Sequence, residues 1–220
     1  MKAAIMILTH DGTAQRLIRL QYCMNGLLNR HYGGEIEWDV HIFHSGGADK
    51  EIVEGEPHFI HYLSNRQTLG ARHNEAMKVM LGYEWEYLVR LGSDDIIHRC
   101  TYIMMELYMM ASVKFGTWNK IALVSPQMDM MKVMYGRGSL GAGAFARRDV
   151  VERLGQVWYP HQVKGMDGNF EGAMTKAGAP PLIIDTPWPA LYDLKCDDNL
   201  HSYEKYKLSE VPFAVDDVIV

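Results

Sequence analysis

The sequence lacks an excess of positive charge, a paired set of cysteines and any long apolar run, and each absence removes a class of protein. Its 22 Lys and Arg against 27 Asp and Glu give a formal net charge of -5. Such a balance offers no general attraction to a polyanion, so nucleic acid remains a partner only through a local basic patch, which the charge pattern does not indicate. Cys23, Cys100 and Cys196 are an odd and widely separated set, without the spacing of a zinc site or a disulfide framework. No stretch approaches the roughly 18 to 20 apolar residues of a membrane span, and the N-terminus has no basic region followed by a cleavable apolar segment. The expected compartment is the cytoplasm. Repeats, low-complexity tracts and linkers are also missing, so residues 1–220 are expected to form one domain, with 186–220 a C-terminal tail able to close over the site.

What is present is a repeated change of hydrophobic period. Residues 3–8 are a continuous apolar run ending in Thr9-His10-Asp11-Gly12, the pattern of a buried strand feeding a polar loop. Leu17, Ile18, Leu20, Met24, Leu27 and Leu28 then recur at helical spacing before Gly33-Gly34. Strands are expected at 38–43, 58–63, 86–91, 121–125, 140–146 and 182–184, and helices at 71–81, 102–115, 149–154 and 169–176. Residues 193–206 read as a polar tail with interspersed aromatics. Alternation of this kind implies an α/β fold with a mostly parallel, mixed sheet covered on both faces. Ligands of such sheets are met outside the carboxyl ends of the strands, in the loops.

Several loops carry chemistry. Leu91-Gly92-Ser93-Asp94-Asp95 sets two adjacent carboxylates at the end of an apolar strand. That arrangement suits Mg²⁺ or Mn²⁺ shared with substrate phosphates, and Ser-Asp-Asp serves equally as an N-cap for the next helix. Thr68-Leu69-Gly70-Ala71-Arg72-His73-Asn74-Glu75-Ala76 opens a helix, where Arg72 either pairs with phosphate or lies with Asn74 on a solvated face. The small residues from Gly141 to Ala146 make room for a ligand or pack a strand against a helix. Asp167, in Lys164-Gly165-Met166-Asp167-Gly168-Asn169-Phe170-Glu171, reads as a general base or a helix cap.

In this order the segments resemble the family-2 glycosyltransferases of the GT-A fold across roughly the first 180 residues. The resemblance implies a Rossmann-like, nucleotide-diphospho-sugar transferase domain. Phe43-His44-Ser45-Gly46-Gly47-Ala48-Asp49 corresponds to the family's acidic loop, with His44 and Ser45 at the usual acids and Asp49 the remaining one. Gly92 to Asp95 matches the Asp-x-Asp metal motif, with Gly92 at its first acid and Asp94 at its second. Residues 141–148 resemble the acceptor-side strand and the segment after it. Asp167 takes the position of the catalytic base of inverting members, Met166 replaces the usual preceding Glu, and Glu171 is a second candidate one turn on.

The implied donor-binding set is Thr9, His10, Asp11, Ser45, Asp49, Arg72, Asn74, Ser93 and Asp94. The implied ligands of a Mn or Mg cation are Asp94, Asp95 and a C-terminal His201, with His161 as an alternative. The expected activity is metal-dependent, inverting transfer of a hexosyl or pentosyl group. The donor is a nucleotide-sugar, a UDP-sugar first, and the acceptor a hydroxyl of a glycan or a hydroxymethylated DNA base. Two rivals stand beside it. One is a catalytically silent nucleotide-sugar-binding domain. The other is a nucleotidyltransferase, against which Thr9 to Gln15 contains one Gly and no Lys or Arg.

Overall fold

The computed structural model describes residues 1–9, 12–28, 36–64, 68–135, 141–154, 166–196 and 203–219, with the backbone alone at 166–169, 217 and 219. The chain begins β1 (Lys2–Leu8), α1 (Ala14–Leu28), β2 (Glu37–His44), α2 (Ala48–Glu54), β3 (Ile60–Leu63), α3 (Leu69–Met80), β4 (Tyr87–Gly92) and β5 (Asp95–Ile97). It continues with α4 (Arg99–Met110), β6 (Phe115–Trp118), β7 (Lys120–Val124), β8 (Met130–Tyr135), β9 (Phe145–Arg147) and α5 (Arg148–Arg153). Then come α6 (Met166–Lys176), β10 (Leu182–Ile184), β11 (Leu191–Leu194), a 3-10 turn over Tyr203–Lys205, β12 (Glu210–Pro212) and α7 (Asp216–Ile219).

β1 explains the architecture. Its side chains alternate between faces, and both faces are buried, so the run is apolar at every position from Ala3 on. Ala3, Ile5 and Ile7 join a core with Leu20, Met24 and Leu27 of α1 and Met105 and Met109 of α4. Ala4, Met6 and Leu8 join a second with Ala76, Met77 and Met80 of α3, Val150 and Val151 of α5, and Phe170 and Met174 of α6. Each large side chain so buried contributes about 1.5–3 kcal/mol. In α1 the buried positions Arg16, Arg19, Leu20, Cys23, Met24 and Leu27 recur every three or four residues, which fixes the face turned to the sheet.

The main sheet has the order β10-β6-β9-β4-β1-β2-β3. β3, β2, β1 and β4 are mutually parallel, β10 is parallel to β6, and β9 runs against both β4 and β6. A second sheet, β12-β8-β7-β11-β5, stands beside it. The expected helix over 102–115 ends earlier, with Ala111 as its C-cap; Ser112 turns at φ 60° and Phe115 opens the buried β6. The stretch read as a polar tail supplies β11. Among the described residues no helix is long and apolar enough to cross a membrane.

Candidate metal and nucleotide site

β4, beside β1 in the centre of the main sheet, ends at Gly92, and the chain crosses to the second sheet within two residues. β5 then pairs antiparallel with β11, so that Asp95 lies directly opposite Asp193. The Leu194 N–H donates to the Asp94 carbonyl at 2.8 Å. Carboxylate oxygens of Asp94, Asp95 and Asp193 all lie within 4.8 Å of one another. Like charges placed opposite one another in a ladder repel, and here both strand residues are carboxylates facing a third.

Gly92 is part of this arrangement. Its N–H donates to Asp95 Oδ2 at 2.8 Å, and its carbonyl accepts from Cys23 Sγ at 3.6 Å. A Cβ at this position would stand 2.5 Å from Asp95 Oδ2 and 3.0 Å from Asp94 Oδ1. A side chain at position 92 is therefore sterically excluded in this arrangement. The Asp95 carboxylate fills the space a side chain at 92 would need, and Asp193 brings another carboxylate from β11.

The electrostatics follow from burial. Asp95 is held well above the usual carboxylate range, first by burial and then by the charges of Asp193 and Asp94, against the Gly92 N–H and Lys195. Burial also pushes Asp193 up to about 6, opposed by its ion pair with Lys195 and by Arg16, and reinforced by Asp94. Lys195 is raised: its burial acts the other way, but the surrounding carboxylates, Asp193 first, outweigh it. Arg19 fastens the segment after β11 by donating to the Lys195 carbonyl at 3.4 Å and to the Pro126 carbonyl.

Of the expected donor-binding residues, Thr9, Ser45, Asp49 of α2 and Arg72 of α3 converge just beyond the carboxyl ends of β1 and β2. Asp49 Oδ2 accepts from Thr9 Oγ1 and from the Ser45 N–H, both at 2.7 Å. Ser45 Oγ reaches both Asp49 oxygens at 3.0 Å, and the Gly47 N–H reaches Oδ1 at 3.1 Å. Burial would raise the Asp49 carboxyl, but these donors, the Ser45 N–H foremost, hold it below the usual range. Arg72 donates through Nη2 to the carbonyls of Thr9 and Phe43, the latter at 3.0 Å. It is a tie between the ends of β1 and β2. Arg72 and Asn74 are both buried, which removes the solvated-face reading. Thr68 caps α3, its side chain accepting from the Ala71 N–H at 3.3 Å.

The capping alternative for Ser93-Asp94-Asp95 is also removed. α4 starts at Arg99, and its N-cap is His98, whose Nδ1 accepts from the Cys100 N–H at 3.1 Å. Ser93 is buried in the turn. Asp167 is the second residue of α6, inside the helix rather than its cap, and its side chain lies outside the described residues. His10, Asp11, His161 and His201 lie outside them as well. Sequence reasoning missed Asp193, Lys195 and Arg16. The signal available for Asp193 was Leu191-Tyr192-Asp193-Leu194, a short apolar run with one acid, which nothing local pairs with Asp95.

The layout, a mostly parallel sheet covered on both faces, is the GT-A fold, and solved structures match it. S. aureus TarS matches with a TM-score of 0.67 and 14% identity over 89% of this chain and 37% of that one. Its 1–349 portion in complex with UDP-GlcNAc gives 0.66 and 15%, over 90% of this chain and 60% of that one. The mannosyltransferase PcManGT from Pyrobaculum calidifontis, in complex with GDP-Man and Mn²⁺, gives 0.60 and 14%, over 88% and 56%. A CMP:2-keto-3-deoxy-manno-octonic acid synthetase complexed with CTP gives 0.53 and 13%, over 86% and 92%. At such identities the likeness establishes the fold, and the chain spans less than two thirds of the transferases it matches. No protein-family model and no curated protein sequence matches the chain.

Proposed function

We propose that this chain is a metal-dependent, inverting glycosyltransferase of the family-2 type, moving a hexosyl or pentosyl group from a nucleotide-sugar to an acceptor hydroxyl. The observation that carries the reading is the meeting of Asp94, Asp95 and Asp193, Asp95 buried and the other two half-buried, where β4 passes into the second sheet. An all-carboxylate set suits a hard divalent cation, Mg²⁺ or Mn²⁺, and carboxyls that burial drives toward protonation gain most from one. Asp94 and Asp95 are the ligands with Asp193 beside them, Asp95 also ordering the turn through Gly92, and His201 is the further ligand in this reading. When bound, the cation supplies charge for the diphosphate leaving group.

The chain's own residues do the remainder. Ser93 and Asp94 meet the donor at the end of β4. Thr9, Ser45, Asp49 and Arg72 hold the ends of β1 and β2 in one shape, against which the nucleotide is placed together with His10, Asp11 and Asn74. Asp167, at the start of α6, accepts the proton of the attacking hydroxyl. Residues 186–220 belong to the site through Asp193 and Lys195. The acidic balance of the chain favours a glycan over DNA as acceptor. The complexes of TarS with UDP-GlcNAc and of PcManGT with GDP-Man and Mn²⁺ support a nucleotide-sugar donor, a UDP-sugar first.

The synthetase likeness, which spans 92% of that chain, favours a second reading as a nucleotidyltransferase. Incubating the protein with a panel of UDP-, GDP-, CMP- and TDP-sugars, with and without Mn²⁺, separates the two. Metal-dependent release of a nucleoside diphosphate (or of CMP from the CMP-sugars), lost in Asp94→Ala, supports transfer. Pyrophosphate release from a nucleoside triphosphate and a sugar supports the second reading. Donor binding without turnover by the folded protein identifies a binding domain that keeps the fold.

A further inference from the structure

A second group of potential ligands lies two strands from β4, at the edge of the main sheet. In the order β4-β1-β2-β3, His44 ends β2 and His61 lies in the edge strand β3, in register with Ile42. Residues 42 and 44 share a face of β2, so His61 and His44 are diagonal neighbours on one face of the sheet. That face is the one α2 covers, since Ile42 packs in the same core as Val53. The next residue, Glu54, is the last of α2. The two imidazoles are 5.9 Å apart between centroids, and His61 Nδ1 is 4.0 Å from Glu54 Oε1. One ligand atom from each of His44, Glu54 and His61 falls within 4.8 Å of the others.

The simpler alternative is a surface carboxylate beside two basic side chains, since Glu54 also stands 3.7 Å from Lys50. Exposed pairs of this kind contribute little. That reading leaves His44 unexplained. The residue is 3% exposed, and its Nδ1 is buried with no hydrogen-bond partner, a state native structures avoid.

We propose that His44, His61 and Glu54 form a binding site for a borderline divalent cation of the Zn²⁺ class, joining α2 and the edge strand to the end of β2. Two imidazoles and one carboxylate are a recurrent zinc donor set, with a fourth position left to water or a ligand. Bonds of about 2.0–2.1 Å at tetrahedral angles place ligand atoms about 3.3 Å apart, so spacings within 4.8 Å close by up to about 1.5 Å. Glu54 and His61 are both partly exposed and free to make that movement. With two imidazoles to one carboxylate, this donor set is softer than the carboxylate-rich group around Asp94 and favours a softer metal. Bound there, the ion would brace Ser45, the residue after His44, and with it the Asp49 network.

The test is a titration of chelator-stripped protein with Co²⁺, read by the visible absorption of the tetrahedral ion, followed by displacement with Zn²⁺. One equivalent of the absorbing tetrahedral ion is expected in the wild type and in Asp193→Asn alike, any Co²⁺ at the carboxylate site contributing little to the band, while His61→Ala and Glu54→Gln each weaken binding by at least about tenfold. Both substitutions are at exposed positions, and their melting in chelator is expected to match the wild type. Absence of the band in the folded wild type, a band unchanged in both variants, or a band lost in Asp193→Asn would each overturn the proposal.

Discussion

Asp193 faces Asp95 across the β5–β11 ladder, although 98 positions separate them and each belongs to a segment that reads on its own as a turn or a tail. The pairing sets the buried Asp95 carboxyl against the partly exposed Asp193 carboxyl, with Asp94 beside them and the Lys195 ammonium bonded to Asp193. Local sequence has no reason to place them so; the cation proposed above would give one.

The pH dependence of the metal-free protein follows from Asp193. Its carboxyl sits at about 6 in the folded state against an ordinary 3.8, so the folded protein binds the proton more tightly. That contribution is fully present below pH 3.8 and is lost as pH rises through about 6. At about 1.4 kcal/mol per unit it amounts to roughly 3 kcal/mol at most. In chelator, Asp193→Asn should therefore gain stability relative to wild type between pH 4 and 7. A difference in melting temperature that stays flat over that interval would falsify the carboxyl-pair account.

Mn²⁺ or Mg²⁺ should raise the melting temperature of the wild type in a concentration-dependent way at pH 7. Asp94→Asn and Asp193→Asn should each shift that dependence by about tenfold or more in metal, while Glu51→Gln on the exposed side of α2 should leave it in place. Equal responses from all four proteins would place the cation elsewhere.

Gly92→Ala tests the tight turn. With a Cβ 2.5 Å from Asp95 Oδ2, the carboxyl must give up its bond to the Gly92 N–H or the strand must move. We expect a loss of about 1–3 kcal/mol in urea unfolding, together with weaker Mn²⁺ stabilisation. An alanine variant as stable as wild type would show that the Asp95 rotamer is free to change.

Arg72→Met removes the donor shared by the Thr9 and Phe43 carbonyls. The Thr9 carbonyl loses this bond, while the Phe43 carbonyl keeps the Thr9 N–H at 2.9 Å, so the change should cost about 1–3 kcal/mol. Should unfolding instead be unchanged while donor affinity collapses, the guanidinium serves phosphate and not the loops.

Asp49→Ala should destabilise by about 2–4 kcal/mol, because the Ser45 and Gly47 N–H groups and the Thr9 hydroxyl lose one acceptor. Its carboxyl is held below the ordinary value, so its stabilisation is present above pH 3.8 and fades as pH falls below that. The gap between wild type and variant should therefore narrow on acidification, as followed by thermal melts from pH 5 downward.

What the sequence determined by itself is the layered parallel sheet. Ala3 to Leu8 is apolar at every position because it is buried on both faces, and the three-to-four spacing in α1 and α3 names the helix faces that cover it. Gly92-Ser93-Asp94-Asp95 at the end of β4 marked one wall of the site for the same local reason. The short elements carried no such period: α2 has two buried positions, and β5, β6 and β11 are three or four residues long. Only tertiary structure decided that β5 leaves the first sheet for a second, that Asp193 meets Asp95 there, and that His61 comes up beside His44. These are long-range pairings, and a strand of three or four residues acquires its partner from what else is already packed around it.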